Sequence, residues 1–239
     1  LITSMNALHL IDQVTDHICI TNIDKPKPAQ GQVLIKVESA SLNHRDQWCR
    51  EGKYPGLKND VTLGSDGSGV VVELGEGVSE TWLNAEVVIN PNIDWGGNPA
   101  AQSKAYHILG MPTNGTFAEF VVVNSDRLVK KPAHLSFEET AALPIGGMTA
   151  YRALMTQAKV QQSDRVLVTG IGGGVSQFAA VFLKALKVEY YVTSGSDEKI
   201  AAAVAAGAAG GFNYRSENWW KDALKETGGF LVIIDSAGG

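Results

Sequence analysis

The sequence predicts an α/β protein in two parts: an antiparallel, barrel-like β domain over residues 1–125 and a doubly wound parallel α/β domain over residues 126–239. Up to about Val123 apolar residues alternate with polar ones, as in QVLIKVES, where Val33, Ile35 and Val37 share one face in the two-residue period of a strand. From about Asp126 short apolar runs take turns with stretches at helical spacing, the rhythm of βαβ units. Between the first such strand and helix lies VLVTGIGGGVS, where Gly170, Gly172, Gly173 and Gly174 leave the backbone bare.

Each element follows from its own pattern. In the first part QVLIKVES leads to the turn-rich GSDGSGVVVELGEGV, then EVVIN and FAEFVVV. Glycines 64, 67, 69, 75 and 77 punctuate the middle, where bulges and tight turns need backbone angles other residues resist. In the second part Ser136 and Glu139 form a capping box for a short helix that Pro144 interrupts, and a further helical stretch runs from about Met148 to Ala158. RVLVT is a buried strand and SQFAAVFLKAL an amphipathic helix. EYYVT, the helix DEKIAAAVAAG capped by Ser196, GFNY, the helix ENWWKDALKE and the strand FLVIID complete the series. No internal repeat or low-complexity tract interrupts it.

Composition narrows the partners. With 239 residues and 44% hydrophobic content the chain can bury a sizeable core. A net charge of -5, with lysines and arginines scattered, gives no footprint for nucleic acid or an anionic membrane. No apolar run approaches the ~18 to 20 residues of a membrane span, and the first residues do not read as a secretory signal, so a cytoplasmic protein is expected. Leu1 to Ser4 precede Met5, as residues added ahead of a start methionine would, and are left out of the sequence argument. Cys19 and Cys49 are expected to be reduced.

Two features carry a cofactor reading. In a strand-turn-helix context Gly172, Gly173, Gly174 and Val175 suit a backbone that approaches a pyrophosphate at a helix N-terminus, although Ile171 and Ser176 stand where glycines are usual and a merely tight turn is the plain alternative. After the second strand, where NAD-binding units place Asp or Glu for the ribose 2′-hydroxyl, the chain reads VTSGSDEK. Thr193, Ser194, Gly195 and Ser196 followed by Lys199 suit a 2′-phosphate, hence NADPH. The plain alternative makes Ser196 only a helix cap and Lys199 only a solvated side chain.

A third stretch, SLNHRDQWCREGKYP, gathers Asn43, His44, Asp46, Cys49 and Tyr54, and asks whether the site holds a metal. The histidines at 9, 17, 44, 107 and 134 lack partners at metal-binding spacing, and a lone Cys49 reads as a packed thiol.

GSDGSGVVVELGEGV, GTFAEFVVV, AALPIGGMTAYRAL and VLVTGIGGGV occur in the order seen in medium-chain dehydrogenases/reductases, which the chain resembles from about Met5 to its end. It looks most like the zinc-independent quinone and enone reductases, whose pattern of Asn, Asp and Tyr-Pro is matched by Asn43, Asp46, Tyr54 and Pro55. The resemblance implies a GroES-like catalytic domain, a Rossmann domain and a homodimer. It places Gly195, Lys199 and Tyr214 at the 2′-phosphate and Thr149 near the nicotinamide carboxamide. Where zinc alcohol dehydrogenases carry ligands this chain has Asn43, Ser65 and Ile145, and the stretch matching their structural zinc lobe has no cysteine, so no metal is expected.

The implied chemistry is hydride transfer from NADPH to a quinone or α,β-unsaturated carbonyl, with Asn43 holding the substrate carbonyl and Ser65 lining the pocket. Asp46 orients local structure, and Tyr54 either relays a proton or serves as a core aromatic. A non-catalytic NADPH-binding protein on the same scaffold is the alternative, with a zinc-type alcohol dehydrogenase disfavoured. A doubly wound sheet ordered 3-2-1-4-5-6 needs two more strands than precede DSAGG, so more chain is expected to complete the fold, Val232 to Ile234 otherwise forming an apolar edge.

Overall fold

The computed structural model describes residues 3–11 and 18–236; residues 1–2, 12–17 (with His17) and 237–239 lie outside the described residues. The chain forms two compact units, Leu1–Ile145 and Gly146–Gly239.

In the first unit the strands are antiparallel. β1 (Ser4–Leu10) lies between β2 (Ile18–Asp24) and β4 (Val61–Thr62). Five more strands, β3 (Gln32–Ser41), β5 (Asp66–Leu74), β6 (Glu86–Ile89), β9 (Phe120–Asn124) and β10 (Leu128–Lys130), make a sheet in the order β10-β6-β5-β3-β9, and β7 (Asn92–Ile93) pairs with β8 (His107–Ile108). Hydrogen bonds from Leu8 N to the Phe117 carbonyl (2.8 Å) and from Glu119 N to the Asn6 carbonyl (3.2 Å) join the sheets. Ser4 of β1 pairs with Asp24 of β2, and the Thr3 carbonyl accepts from Lys25 N (3.0 Å), so Thr3 and Ser4, left out of the sequence argument, take part in the sheet.

Val33 and Ile35 of β3 pack with Val71, Val87, Ile89 and Val121 as expected for one face. Leu34, on the other face, is equally buried, because Met5 and Phe120 cover that side. Alternation therefore understated how much of β3 the unit encloses. Where β3 slips register against β5 near Val37, Gly69 lets the strands close up: a Cβ there would stand 2.0 Å from the Lys36 carbonyl oxygen.

The unit runs on to Ile145 instead of ending at 125, because β10 pairs with β6 and Ser68 Oγ donates to the Phe137 carbonyl (2.6 Å). α2 (Phe137–Ala141) starts on the expected capping box, Ser136 N donating to Glu139 Oε2 (2.9 Å) and Glu139 N to Ser136 Oγ (3.1 Å). Pro144 opens α3 (Pro144–Tyr151), since its fixed φ suits a first turn and its missing N–H is not needed there. A π-helical stretch, Arg152–Ala158, continues it.

The second unit is a parallel sheet ordered β13-β12-β11-β14, with β11 (Arg165–Val168), β12 (Glu189–Ser194), β13 (Gly210–Asn213) and β14 (Val232–Ile234). Alternate residues of β11 enter separate cores. Val166 and Val168 pack with Ala179 and Leu183 of α4 (Gly174–Ala185) and Ala203 of α5 (Asp197–Ala206), while Leu167 packs with Tyr191, Phe212 and Ala223 of α6 (Trp219–Thr227). Helices on both faces explain why β11 and β12 read as unbroken apolar runs. The arrangement is the 3-2-1-4 portion of a doubly wound sheet.

Candidate active site

In the first unit the site is organised by α1 (His44–Arg50), which buries Arg45, Asp46 and Cys49, positions i, i+1 and i+4 of one face. Arg45 had no place in the sequence reading, yet it is the hub. Its guanidinium, 6% exposed, donates from Nη1 to Ser65 Oγ and to the Leu109 carbonyl (2.9 Å), from Nη2 to the Met111 carbonyl (3.5 Å), and from Nε to the Tyr54 hydroxyl (3.4 Å). It also lies 4.7 Å from the Tyr54 ring centroid.

This network relocates the sequence candidates. Ser65, expected to line a pocket, is fully buried beneath Arg45. Tyr54 packs against Leu10, Cys49, Val61, Leu63 and Met111 with its hydroxyl occupied by Arg45, which fits the core-aromatic alternative. Asp46 accepts from Asn43 N (2.8 Å) at the start of α1. Burial pushes its carboxyl above the ordinary range, against the opposing pull of the Asn43 N–H and the Arg45 charge. Burial likewise raises the Cys49 thiol to about 11, so it is an inert packed thiol.

Asp66, at the start of β5, is the second residue the sequence reading missed. Its carboxylate is 1% exposed and accepts from Asn43 Nδ2 (3.0 Å) and from Ile145 N (3.1 and 3.2 Å), so Asn43 has one amide hydrogen committed to it. Burial pushes this carboxyl up to about 6. The three positions Asn43, Ser65 and Ile145 thus meet at Arg45 and Asp66. His44 is exposed, edge-on to Trp48 at 4.9 Å. Among the described residues no three His, Cys, Asp or Glu side chains gather as a metal centre would require.

In the second unit the glycine turn is open. Gly172, Gly173 and Gly174 are exposed, Val175 is half-buried, and nothing lies within 4 Å of where a Cβ on Gly174 would stand. The first turn of α4 offers N–H groups that have no intrahelical partner. The two residues that depart from the glycine pattern face inward: Ile171 is buried in the core, and Ser176 Oγ bonds to the Thr169 carbonyl (2.7 Å) and Ser236 Oγ (2.7 Å), tying α4 to the ends of β11 and β14.

At the end of β12, Thr193 Oγ1 accepts from Gly170 N (3.2 Å) and Ser194 Oγ from Ser196 N (3.2 Å). Ser196 caps α5, accepting from Lys199 N (3.3 Å). Lys199 Nζ stands 2.9 Å from a Cβ built on Gly172, over the turn. The groups over Gly195 are the Tyr214 hydroxyl and Arg215 Nε, each 2.8 Å from its built Cβ. Arg215 also escaped the sequence reading; as the residue after Tyr214 in NYRSEN it was within reach of the same motif. Thr149 is exposed on α3. The open backbone, hydroxyls and two cations gathered here suit a nicotinamide dinucleotide.

An antiparallel unit followed by a parallel βαβ unit with a glycine turn defines a GroES-like and Rossmann architecture. Residues 29–133 match the alcohol dehydrogenase GroES-like domain family. A zinc-type alcohol dehydrogenase-like protein of Leptosphaeria maculans is 37% identical over 241 residues, covering 91% of this chain and 65% of its own length. Among solved structures an NAD-dependent alcohol dehydrogenase superposes with TM-score 0.91 at 34% identity, over 98% of this chain and 71% of that one. The quinone oxidoreductase from Coxiella burnetii does so with TM-score 0.83 at 30% identity, over 99% and 69%. The chain belongs to the medium-chain dehydrogenase/reductase superfamily.

Proposed function

We propose that this chain serves an NADPH-dependent, zinc-independent oxidoreductase that reduces quinones or α,β-unsaturated carbonyls. The observation that carries the reading is the state of the three positions where zinc-type relatives are expected to hold metal. Ile145 offers only its backbone, Ser65 is bonded to a guanidinium, and Asn43 is bonded to Asp66. These are not metal-ligand chemistries, and a resident guanidinium repels a second cation.

Bound on the glycine turn, NADPH supplies a hydride from its nicotinamide. The chain's own part is to bind and to orient. The α4 N-terminus and Lys199 take the pyrophosphate, and Ser194, Tyr214 and Arg215 around Gly195 take the 2′-phosphate, with Thr149 assigned to the carboxamide by the family pattern. The remaining Nδ2–H of Asn43 donates to the substrate carbonyl as negative charge grows on its oxygen, while Arg45 supplies a fixed positive field. Simple alcohol oxidation fits poorly, because none of these groups is a Lewis acid for an alkoxide.

The test is absorbance of NADPH and NADH with a panel of quinones and enones, alongside elemental analysis. NADPH consumption that depends on the acceptor, with zinc well below one per chain, is expected. Binding of NADPH without turnover favours a non-catalytic binder, and about one zinc per active chain favours the zinc-type reading carried in the name of the Leptosphaeria relative.

A further inference from the structure

We propose that Asp66 is the positioning residue that sets the direction in which Asn43 offers its amide hydrogen to substrate, an assignment that rests on the reductase reading above. An ionised carboxylate only accepts hydrogen bonds. Asn43 must therefore point its nitrogen at Asp66, since the flipped amide would set Oδ1 against a carboxylate oxygen at a separation of 3.0 Å. Because the amide is planar, placing one Nδ2 hydrogen on Asp66 fixes the direction of the other.

Asp66 is itself held. Both its carboxylate oxygens accept from Ile145 N (3.1 and 3.2 Å), a first-turn donor of α3, and its own carbonyl accepts from Thr116 Oγ1 (2.8 Å). On the other side, the main chain of Asn43 is fixed by Asp46 Oδ2 through Asn43 N (2.8 Å). Two carboxylates thus grip one asparagine, Asp46 by its backbone and Asp66 by its side chain. Burial of Asp66 at 1% exposure keeps water from competing for either bond. The half-buried Asn43 is the member of this group with a face left toward solvent.

Replacing Asp66 with asparagine keeps the shape and removes the orientation rule, because an amide presents either a donor or an acceptor. Asp66→Asn is expected to lower kcat about tenfold or more with KM changed less, since the aligned hydrogen bond matters most as charge develops. Asn43→Ala should lose a similar factor, and the double variant should be within about twofold of Asn43→Ala alone. Losses that multiply in the double variant would mean Asp66 acts independently of Asn43, and the assignment falls. NADPH affinity should be unchanged throughout.

A readout without turnover covers poor folding of the variant or an inactive wild type. The Asn43 side-chain amide, identified in 15N-labelled wild type by its absence in Asn43→Ala, should show two well-separated protons, one shifted downfield and slow to exchange. A near-degenerate, rapidly exchanging pair overturns the proposal. If wild type consumes no NADPH with any quinone or enone, the reductase reading fails by itself, while the amide spectrum still decides whether Asp66 positions Asn43.

Discussion

Around α1, Arg45, Asp46, Asp66 and Asn43 bond to one another or to buried carbonyls, whereas in the turn after β11 Gly172, Gly173 and Gly174 are exposed and a Cβ on Gly174 would meet nothing within 4 Å. The first arrangement is built from charges taken out of water, and its geometry is held by hydrogen bonds among its members and to the main chain, with Asp46 Oδ1 left unpartnered. The second is built from absent side chains and unspent helix donors, and its geometry is held by the strand and helix at either end. Substitutions in the first should therefore be felt as stability, and in the second as ligand affinity.

The largest expected effect tests the first half of that contrast. Arg45→Met removes a guanidinium that satisfies Ser65 and the carbonyls of Leu109 and Met111, and leaves Asp46 and Asp66 without their cation. Breaking a buried charged network from one side costs about 3 to 5 kcal/mol. The urea midpoint of Arg45→Met should fall accordingly, and Arg45→Lys should recover part of the loss by keeping the charge without the fork. Lys199→Ala, exposed in the first turn of α5, should change stability by less than about 0.5 kcal/mol. Equal midpoints for the two variants would break the comparison.

The next effect is pH-dependent. Burial raises Asp66 from the ordinary 3.8 to about 6, so between those values the folded protein holds a proton that the unfolded chain has released. This contribution to stability is greatest below about 3.8, falls as the pH rises, and is flat above about 6. Asp46 acts in the same direction. At about 1.4 kcal/mol per pKa unit, the stability of wild type relative to Asp66→Asn should fall by up to about 3 kcal/mol from pH 4 to pH 7, read from urea unfolding at each pH. A difference that is constant or grows with pH would contradict the burial account.

What could be read from the sequence divides along the same line. The glycine turn, β12 and the Ser196 cap are local, each made within a few residues, and VLVTGIGGGV and VTSGSDEK disclosed them before any fold was known. Asn43, Ser65 and Asp46 were found as residue types, but their bonds span long separations, as from Arg45 to Leu109 or Asp66 to Ile145, and no local pattern encodes such partners. A signal for Arg45 did exist: with Asp46 and Cys49 it falls on one face of a short helix, and Cys49 is a residue that seeks burial. In that stretch the ligand and nucleophile types stand out by side chain alone, whereas the arginine that joins them shows its part only through partners distant in sequence. The boundary at 125 failed for a related reason, because the change of periodicity preceded the change of packing partner by the length of β10 and α2.

The smallest effect sharpens the second half of the comparison, within the NADPH reading. Lys199 and Arg215 both flank the cradle, but Lys199 Nζ lies over Gly172 while Arg215 Nε and the Tyr214 hydroxyl lie over Gly195. A pyrophosphate is common to NADH and NADPH; the 2′-phosphate is not. Lys199→Ala should therefore weaken both cofactors by similar factors, and Arg215→Ala should weaken NADPH alone. A hydrogen bond to a charged group contributes about 1.5 to 3 kcal/mol, and exposure brings Arg215 to the lower end, about tenfold in affinity. Titrating both cofactors into wild type and the two variants separates the assignments. If Lys199→Ala instead lost NADPH affinity selectively and Arg215→Ala changed neither, the 2′-phosphate would belong to Lys199, as the family pattern implies, and its side chain would have to swing away from Gly172 to reach it.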